Sequence, residues 1–177
     1  MRNIPIKKYL VSKSYEQYAS LLSCLNPKDH LGLDVNSLTY NDVIKCNRIL
    51  SNVKSIDDVK SLFTTAYKIT DKDFFSIPVV NFFQTKKFLI EKFISMRLDE
   101  SKLLSSSDED SMYFDASGGK ALNDFSDVLP LDKLAKIYNV YPMKLGRKKY
   151  VEIIYLLKMN QVLGRVDKKF NELKYQK

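Results

Sequence analysis

The acidic cluster Asp108-Glu109-Asp110, with Asp115 five residues further on, is the densest group of side chains able to attract a cation. Carboxylates are preferred ligands of Ca²⁺, but an EF-hand loop also needs a fixed ligand spacing around a central glycine. The segment has neither that spacing nor that glycine. It therefore predicts a solvated acidic loop rather than a metal site.

Histidine and cysteine, the residues of most nucleophilic and zinc chemistry, are scarce. His30 is the single histidine, and Cys24 and Cys46 lie within helical patterns with no CxxC pair. A zinc site needs a Cys/His cluster, and a serine triad would have to rely on His30 alone. We therefore expect neither a metal site nor a catalytic centre, and two reduced, buried cysteines.

Gly118-Gly119-Lys120 looks like the end of a phosphate-binding loop. The upstream glycine is missing, and no Ser or Thr follows the lysine, although the P-loop uses both. The sequence therefore predicts no cofactor and no enzyme.

Residues 131–150 have the partial pattern of a helix-turn-helix. The apolar anchors of that motif would be Leu134, Ala135, Val140 and Leu145. Asn139 stands where the turn glycine is usual, and asparagine tolerates the left-handed conformation. The basic contact surface would be Lys144, Arg147, Lys148 and Lys149, facing phosphates. Against the motif, Lys148 replaces a buried apolar residue and Gly146 would fall within the second helix.

The elements that position these residues are mostly helices. Three Ser/Thr-x-x-Asp sequences predict successive helix starts at Thr39, Ser55 and Thr70. Pro78 opens a longer, Phe-rich helix that runs to about Leu103, since proline is tolerated in a first helical turn. Ile4–Val11 alternates loosely and predicts a short strand or extended arm.

A second proline, Pro130, opens a helix that ends near Val140. Gly146–Tyr175 then predicts one long amphipathic helix. The predicted apolar face is Val151, Ile154, Tyr155, Val162, Val166, Phe170 and Leu173. The fold class expected is mainly α: a multi-helix domain with a short N-terminal β element and a long basic C-terminal helix.

Charge divides the chain of 177 residues and net charge +8 into blocks. Residues 1–98 carry fifteen basic and nine acidic side chains, residues 99–132 carry two and nine, and residues 144–177 carry ten and three. We predict a helical core domain at 1–103, an acidic loop or hinge at 104–129, and a C-terminal helical hairpin at 130–177. Such alternating blocks let copies of the chain attract one another, or are simply solvated helix faces.

No segment of the sequence has the pattern of a signal peptide or of a membrane-spanning helix. The first residues, Met1–Lys8, lack the apolar stretch of a signal peptide. No apolar run approaches the roughly 20 residues that cross a bilayer. We expect a protein made in a cytoplasm and free of membrane, or built into a particle there.

The C-terminal third also carries a family resemblance. The pattern Leu134-Ala135-x-x-Tyr138-x-x-x-Pro142, followed by Tyr150–Leu157, resembles the C-terminal part of small morphogenesis proteins of tailed bacteriophages. Leu38–Val43 and the Phe-rich helix from Ile77 to Phe93 are similar to the helical front half of such proteins. The Lys/Asn/Tyr/Phe-rich composition is similar to that of crAss-like phages, whose tails are built from stacked ring proteins.

The resemblance implies a non-enzymatic structural or assembly protein of the phage virion, a homo-oligomeric ring in the tail or connector, made in the host cytoplasm. It implies other tail or portal proteins as partners and DNA nearby. The subunit interface expected is Asp108, Glu109, Asp110 and Asp115 against a basic surface of a neighbouring copy. The alternatives are a helix-turn-helix DNA-binding regulator and a transient tail-assembly chaperone.

Overall fold

The computed structural model describes residues 4–12, 15–104 and 116–175, and within these ranges the chain is mainly helical with no sheet. The predicted mainly-α class is confirmed. The α-helices are α1 (Ile6–Leu10), α2 (Tyr15–Ser23), α3 (Tyr40–Ser51), α4 (Ile56–Tyr67), α5 (Asp71–Ser76), α6 (Val79–Leu104), α7 (Leu129–Tyr138), α8 (Pro142–Gly146) and α9 (Tyr150–Tyr175). Short 3₁₀ helices lie at Val35–Ser37 and Gly119–Phe125.

The helix starts predicted at Ser55 and Thr70 are confirmed in atomic detail. The Ser55 side chain accepts the Asp58 backbone N–H, while the Asp58 carboxylate accepts the Ser55 N–H at 2.8 Å. Thr70 and Asp73 form the same reciprocal pair at the start of α5. Each pair satisfies backbone donors that the first helical turn leaves without a partner. The remaining helix start was predicted at Thr39, and helix α3 begins at the next residue, Tyr40.

Two compact units make up the chain: Met1–Leu38 with Asp42–Met96, and Thr39–Asn41 with Arg97–Lys177. In the first, the aromatic rings of Phe63, Phe74 and Phe82 form the centre of the core. Phe63 stacks on Phe82 with centroids 5.3 Å apart, and Phe74 meets Phe63 edge-on at 5.4 Å. All three side chains are buried, so α4, α5 and α6 contribute to one apolar centre.

The second unit has its own buried side chains. They are Tyr40, Leu131, Leu134, Ala135, Leu145, Tyr150, Ile153 and Leu157. Most of them come from α7, α8 and the first two turns of α9. Residues 162–175 of α9 contribute no buried side chain to this core, because all of them are exposed.

The short β element predicted over Ile4–Val11 is not confirmed. Residues Ile6–Leu10 are helical, and extended pairing in this region is limited to an isolated bridge between Pro5 and Pro78. The physical reason is burial at helical spacing: Ile6 and Tyr9, three residues apart, are both buried. A strand would turn residues at that spacing to opposite faces.

The last helix begins at Tyr150 and not at Gly146 as predicted. Helix α8 ends at Gly146, and the Lys148 carbonyl accepts a hydrogen bond from the Tyr40 N–H at 2.9 Å. Lys149 forms an isolated bridge with Thr39. These backbone contacts hold residues 147–149 outside a helix. Helix α9 has five basic and three acidic residues, net +2, so the predicted basic C-terminal helix is not confirmed.

Candidate assembly surface

The candidate functional surface is the second half of α9. Four of its exposed apolar side chains form what we call the α9 stripe: Leu163, Val166, Phe170 and Leu173. They are 51%, 58%, 65% and 60% exposed, respectively. Spacings of three and four residues place all four on one side of the helix. Large apolar side chains that are contiguous and exposed mark a site for a protein partner, a membrane or a ligand, or a liability to aggregate.

None of the residues on the predicted apolar face of the last helix is buried. The residues of α9 that are buried are Tyr150, Ile153 and Leu157, whereas Val162, Val166 and Phe170 are exposed. Sequence reasoning also missed Leu163 as part of the exposed stripe. The signal for it was present in the sequence, since Leu156, Met159 and Leu163 continue the same alternation of three and four.

The first half of α9 is anchored within its own unit. Asn160 donates a hydrogen bond to the Tyr138 hydroxyl at 3.1 Å and another to the Leu156 carbonyl at 2.8 Å. Next to this contact lies a cavity of about 420 Å³. It is lined by Leu129, Pro130, Lys133, Leu134, Ile137, Leu157, Asn160 and Gln161. The lining is largely apolar and provides no acid–base pair.

The predicted basic contact surface is at the α8–α9 turn. Lys144 lies on α8, and Arg147, Lys148 and Lys149 lie in the turn, with all four side chains exposed. The backbone of the turn is fixed by its bonds to Thr39 and Tyr40. The four cations are therefore exposed and lie on or next to a turn whose backbone is held by hydrogen bonds. Gly146 is buried beside them, and a Cβ there would lie 2.8 Å from Asn41 Cγ.

The turn between α7 and α8 matches the prediction made for Asn139. The backbone of Asn139 is left-handed, with φ 50° and ψ 49°, and helix α7 ends at this residue. A helix-turn-helix would next need a helix long enough to lie in a major groove. Helix α8 has five residues, which is about one and a half turns. Asn139 therefore has the left-handed conformation that the motif prediction required, but the following helix is short for reading DNA.

The predicted acidic interface lies outside the described residues; it consists of Asp108, Glu109, Asp110 and Asp115. Its expected role stays a prediction. Among the residues that the structure does describe, no group of three or more His, Cys, Asp or Glu side chains is arranged to hold a metal ion. Within the same ranges, no helix is long and apolar enough to cross a membrane.

The single histidine has a structural contact. His30 Nε2 lies 2.9 Å from Gln84 Oε1, which joins the loop after α2 to α6. The neighbouring Asp29 accepts the backbone N–H groups of Leu31, Gly32 and Leu33 and the Tyr67 hydroxyl. Partial burial raises the pKa of Asp29, but these hydrogen bonds outweigh it and the net pKa is lowered. The loop is thus fixed by polar contacts.

The two cysteines have different surroundings. Cys46 is buried, and burial raises the pKa of its thiol to about 12, so that the unreactive thiol form dominates at neutral pH. Cys24 is exposed, so the predicted burial is wrong for this residue, and neither cysteine forms a disulfide. A second cavity, of about 250 Å³, lies between α1, α4 and α6 and includes Ser55. That hydroxyl is engaged with Asp58, so the cavity presents no activated nucleophile.

Comparison of the chain with protein-family models, with curated proteins and with solved structures gives no significant match. The function proposed for the chain therefore rests on the geometry of its described residues and on the family resemblance of its sequence.

Proposed function

We propose that this chain is a non-enzymatic structural or assembly protein that works as a homo-oligomer, with the α9 stripe as its self-association surface. The observation that supports this most directly is the exposure of four large apolar side chains at helical spacing. In water, apolar area left uncovered on a helix costs free energy that association recovers, at about 25 cal/mol per Å². A protein in which this surface stays uncovered would be prone to nonspecific aggregation.

The family resemblance supplies the setting of the proposal. In that setting the oligomer is a ring in the tail or connector of a tailed-phage virion, in contact with other tail or portal proteins. The exposed cations at the α8–α9 turn suit an acidic neighbour or the DNA that passes through such a particle.

The experiment is a comparison of native masses by light scattering over a range of concentrations. The stripe variant is Phe170→Gln, and the matched control is Tyr155→Gln, which changes an exposed aromatic on the same helix outside the stripe. We expect an oligomer for the unchanged protein and for the control. Phe170→Gln should weaken association roughly a hundredfold, since a two-copy contact loses two buried aromatic side chains. An unchanged protein that stays monomeric at all concentrations would contradict the proposal.

The alternative of a DNA-binding regulator draws support from the left-handed turn at Asn139. Its test is binding to duplex DNA at two salt concentrations. A loss of binding and of salt dependence in the triple variant Lys144→Ala, Arg147→Ala, Lys148→Ala would favour it. The absence of binding at low salt would exclude it.

A further inference from the structure

The α9 stripe has the period of a coiled-coil seam. Apolar residues recur every seven positions in two interleaved sets. The first set is Leu156, Leu163 and Phe170, and the second is Met159, Val166 and Leu173. These sets are the a and d positions of a heptad, respectively. The described helix is continuous over all six residues. Leu156 and Met159 are half-buried within their own unit, so the part open to a partner extends from Leu163 to Leu173.

The size of the stripe residues favours one orientation of a pair. In a parallel, in-register pair each residue faces its own copy, so Phe170 would meet Phe170 and Val166 would meet Val166. In an antiparallel pair a positions face d positions. Phe170 then faces Val166, and Leu163 faces Leu173. Large side chains placed against small ones fill a layer evenly, whereas large against large and small against small do not.

Charges beside the stripe favour the same orientation. Asp167 and Lys174 occupy e positions, and Lys169 occupies a g position. In a parallel pair g faces e, which sets Lys169 against Lys174. In an antiparallel pair e faces e and g faces g, which sets Asp167 against Lys174 twice, once in each direction, and Lys169 against Lys169 once. For these three residues the antiparallel pair therefore has two attractions and one repulsion, whereas the parallel pair has only repulsions. Opposite charges at these flanking positions select the orientation of a coiled coil.

We propose that the α9 stripe pairs with the same stripe of a second copy of this chain as a short antiparallel coiled coil, with Asp167 of each copy beside Lys174 of the other. This inference rests on the proposed self-association and specifies its geometry. The open stretch is about 15 Å long, so the pair is weak and concentration-dependent. A two-fold pair closes on itself as a dimer, and a larger ring therefore needs a second, different contact.

Single charge reversals at Lys174 and Asp167 distinguish the two orientations. Lys174→Asp places like charges together in an antiparallel pair and should weaken association about tenfold. In a parallel pair the same change converts Lys169 against Lys174 into an attraction and strengthens association. Asp167→Lys should weaken the antiparallel pair similarly. The double variant Asp167→Lys with Lys174→Asp should restore the original affinity, because the charges are exchanged and still paired.

The matched control is Lys158→Asp, which makes the same change of net charge at an exposed lysine of α9 outside the flanking positions. Its dissociation constant should stay within about twofold of the unchanged protein. All variants are compared by sedimentation equilibrium at low salt, where exposed charges are least screened. Circular dichroism establishes that each variant keeps its helix content.

Cysteine cross-linking provides a second, independent measurement. In a Cys24→Ser background, Leu163→Cys mixed with Leu173→Cys should form a mixed disulfide dimer, and Leu163→Cys alone should not. Tighter or unchanged association in Lys174→Asp, or cross-linking of Leu163→Cys with itself, would overturn the antiparallel pair. If the unchanged protein is still an oligomer sensitive to Phe170→Gln, the proposed function survives that result. If the unchanged protein is monomeric, both the antiparallel pair and the proposed function are contradicted.

Discussion

The rings of Tyr40 and Tyr150 stack with their centroids 6.1 Å apart and their planes 22° from parallel, and the Tyr150 hydroxyl donates a hydrogen bond to Glu100 at 3.2 Å. Both tyrosines are buried. Burial raises the pKa of both phenols, so they remain neutral donors at physiological pH. Tyr150 is the first residue of α9, and this contact fixes the start of the helix that carries the stripe.

The pH dependence of stability should carry the signature of Glu100. Burial raises the pKa of this carboxyl, and the negative charge of Asp127 adds to the effect, while the bond from Tyr150 opposes it. A carboxyl whose folded pKa exceeds its unfolded value stabilises the fold below the unfolded value, near 4.5. That contribution is lost as the pH rises through the folded pKa. Glu100→Gln should therefore be more stable than the unchanged protein at pH 7.

Urea unfolding at several pH values between about 4 and 8 measures this difference. The gap between Glu100→Gln and the unchanged protein should widen with pH, by no more than about 1.4 kcal/mol per pH unit for one proton. The matched control is Glu91→Gln at an exposed position of the same helix, and the widening in Glu100→Gln is measured relative to this variant. A gap that narrows as the pH rises would contradict the role given to Glu100.

The capping box of α4 should contribute measurably to stability. Ser55→Ala removes the acceptor of the Asp58 N–H and should cost about 1 kcal/mol in the free energy of unfolding. Ser55→Asn keeps an acceptor and should cost much less. Hydrogen bonds from Lys54 and Ser55 lower the pKa of Asp58, so this stabilisation is present above about pH 4 and is lost on further acidification. Equal losses in the Ala and Asn variants would exclude capping as the cause.

The turn at Asn139 should discriminate sharply between residue types. Its φ of 50° is in the left-handed region, which costs a β-branched residue roughly 1–2 kcal/mol. Asn139→Val should therefore lower the free energy of unfolding by about that amount, and Asn139→Gly should leave it unchanged or raise it. The side chain is exposed, so lost packing does not obscure the comparison. Thermal unfolding of both variants measures this difference, and equal losses of stability in the two would contradict the left-handed conformation as the cause.

Local sequence signals predicted the helices well, because their causes are local. Ser55 and Asp58 lie three residues apart and cap the same turn, so that their pairing requires no tertiary context. The proline starts at Pro78 and Pro130 and the left-handed Asn139 follow from backbone sterics for the same reason. These features defined most of α4 to α7 before any packing was known.

Features that depend on distant residues were not predictable in this way. The Ile4–Val11 alternation gave no indication that Ile6 and Tyr9 would be buried together, because that depends on what packs against α1. Helix α9 begins at Tyr150 and not at the predicted Gly146, because residues more than a hundred positions earlier bind the intervening backbone. The contacts are a hydrogen bond from Tyr40 to Lys148 and a bridge between Thr39 and Lys149. A backbone contact of this kind leaves no periodic pattern in either segment.

For the candidate surface, the amino-acid pattern alone predicted that the last helix is long and amphipathic, with one apolar face. It did not establish which face is buried. Packing in three dimensions selected Tyr150, Ile153 and Leu157 for the core and left Leu163 to Leu173 exposed. Amphipathicity shows only that a helix has an apolar face to cover, whereas the elements that pack against the helix determine how much of that face is left for a partner.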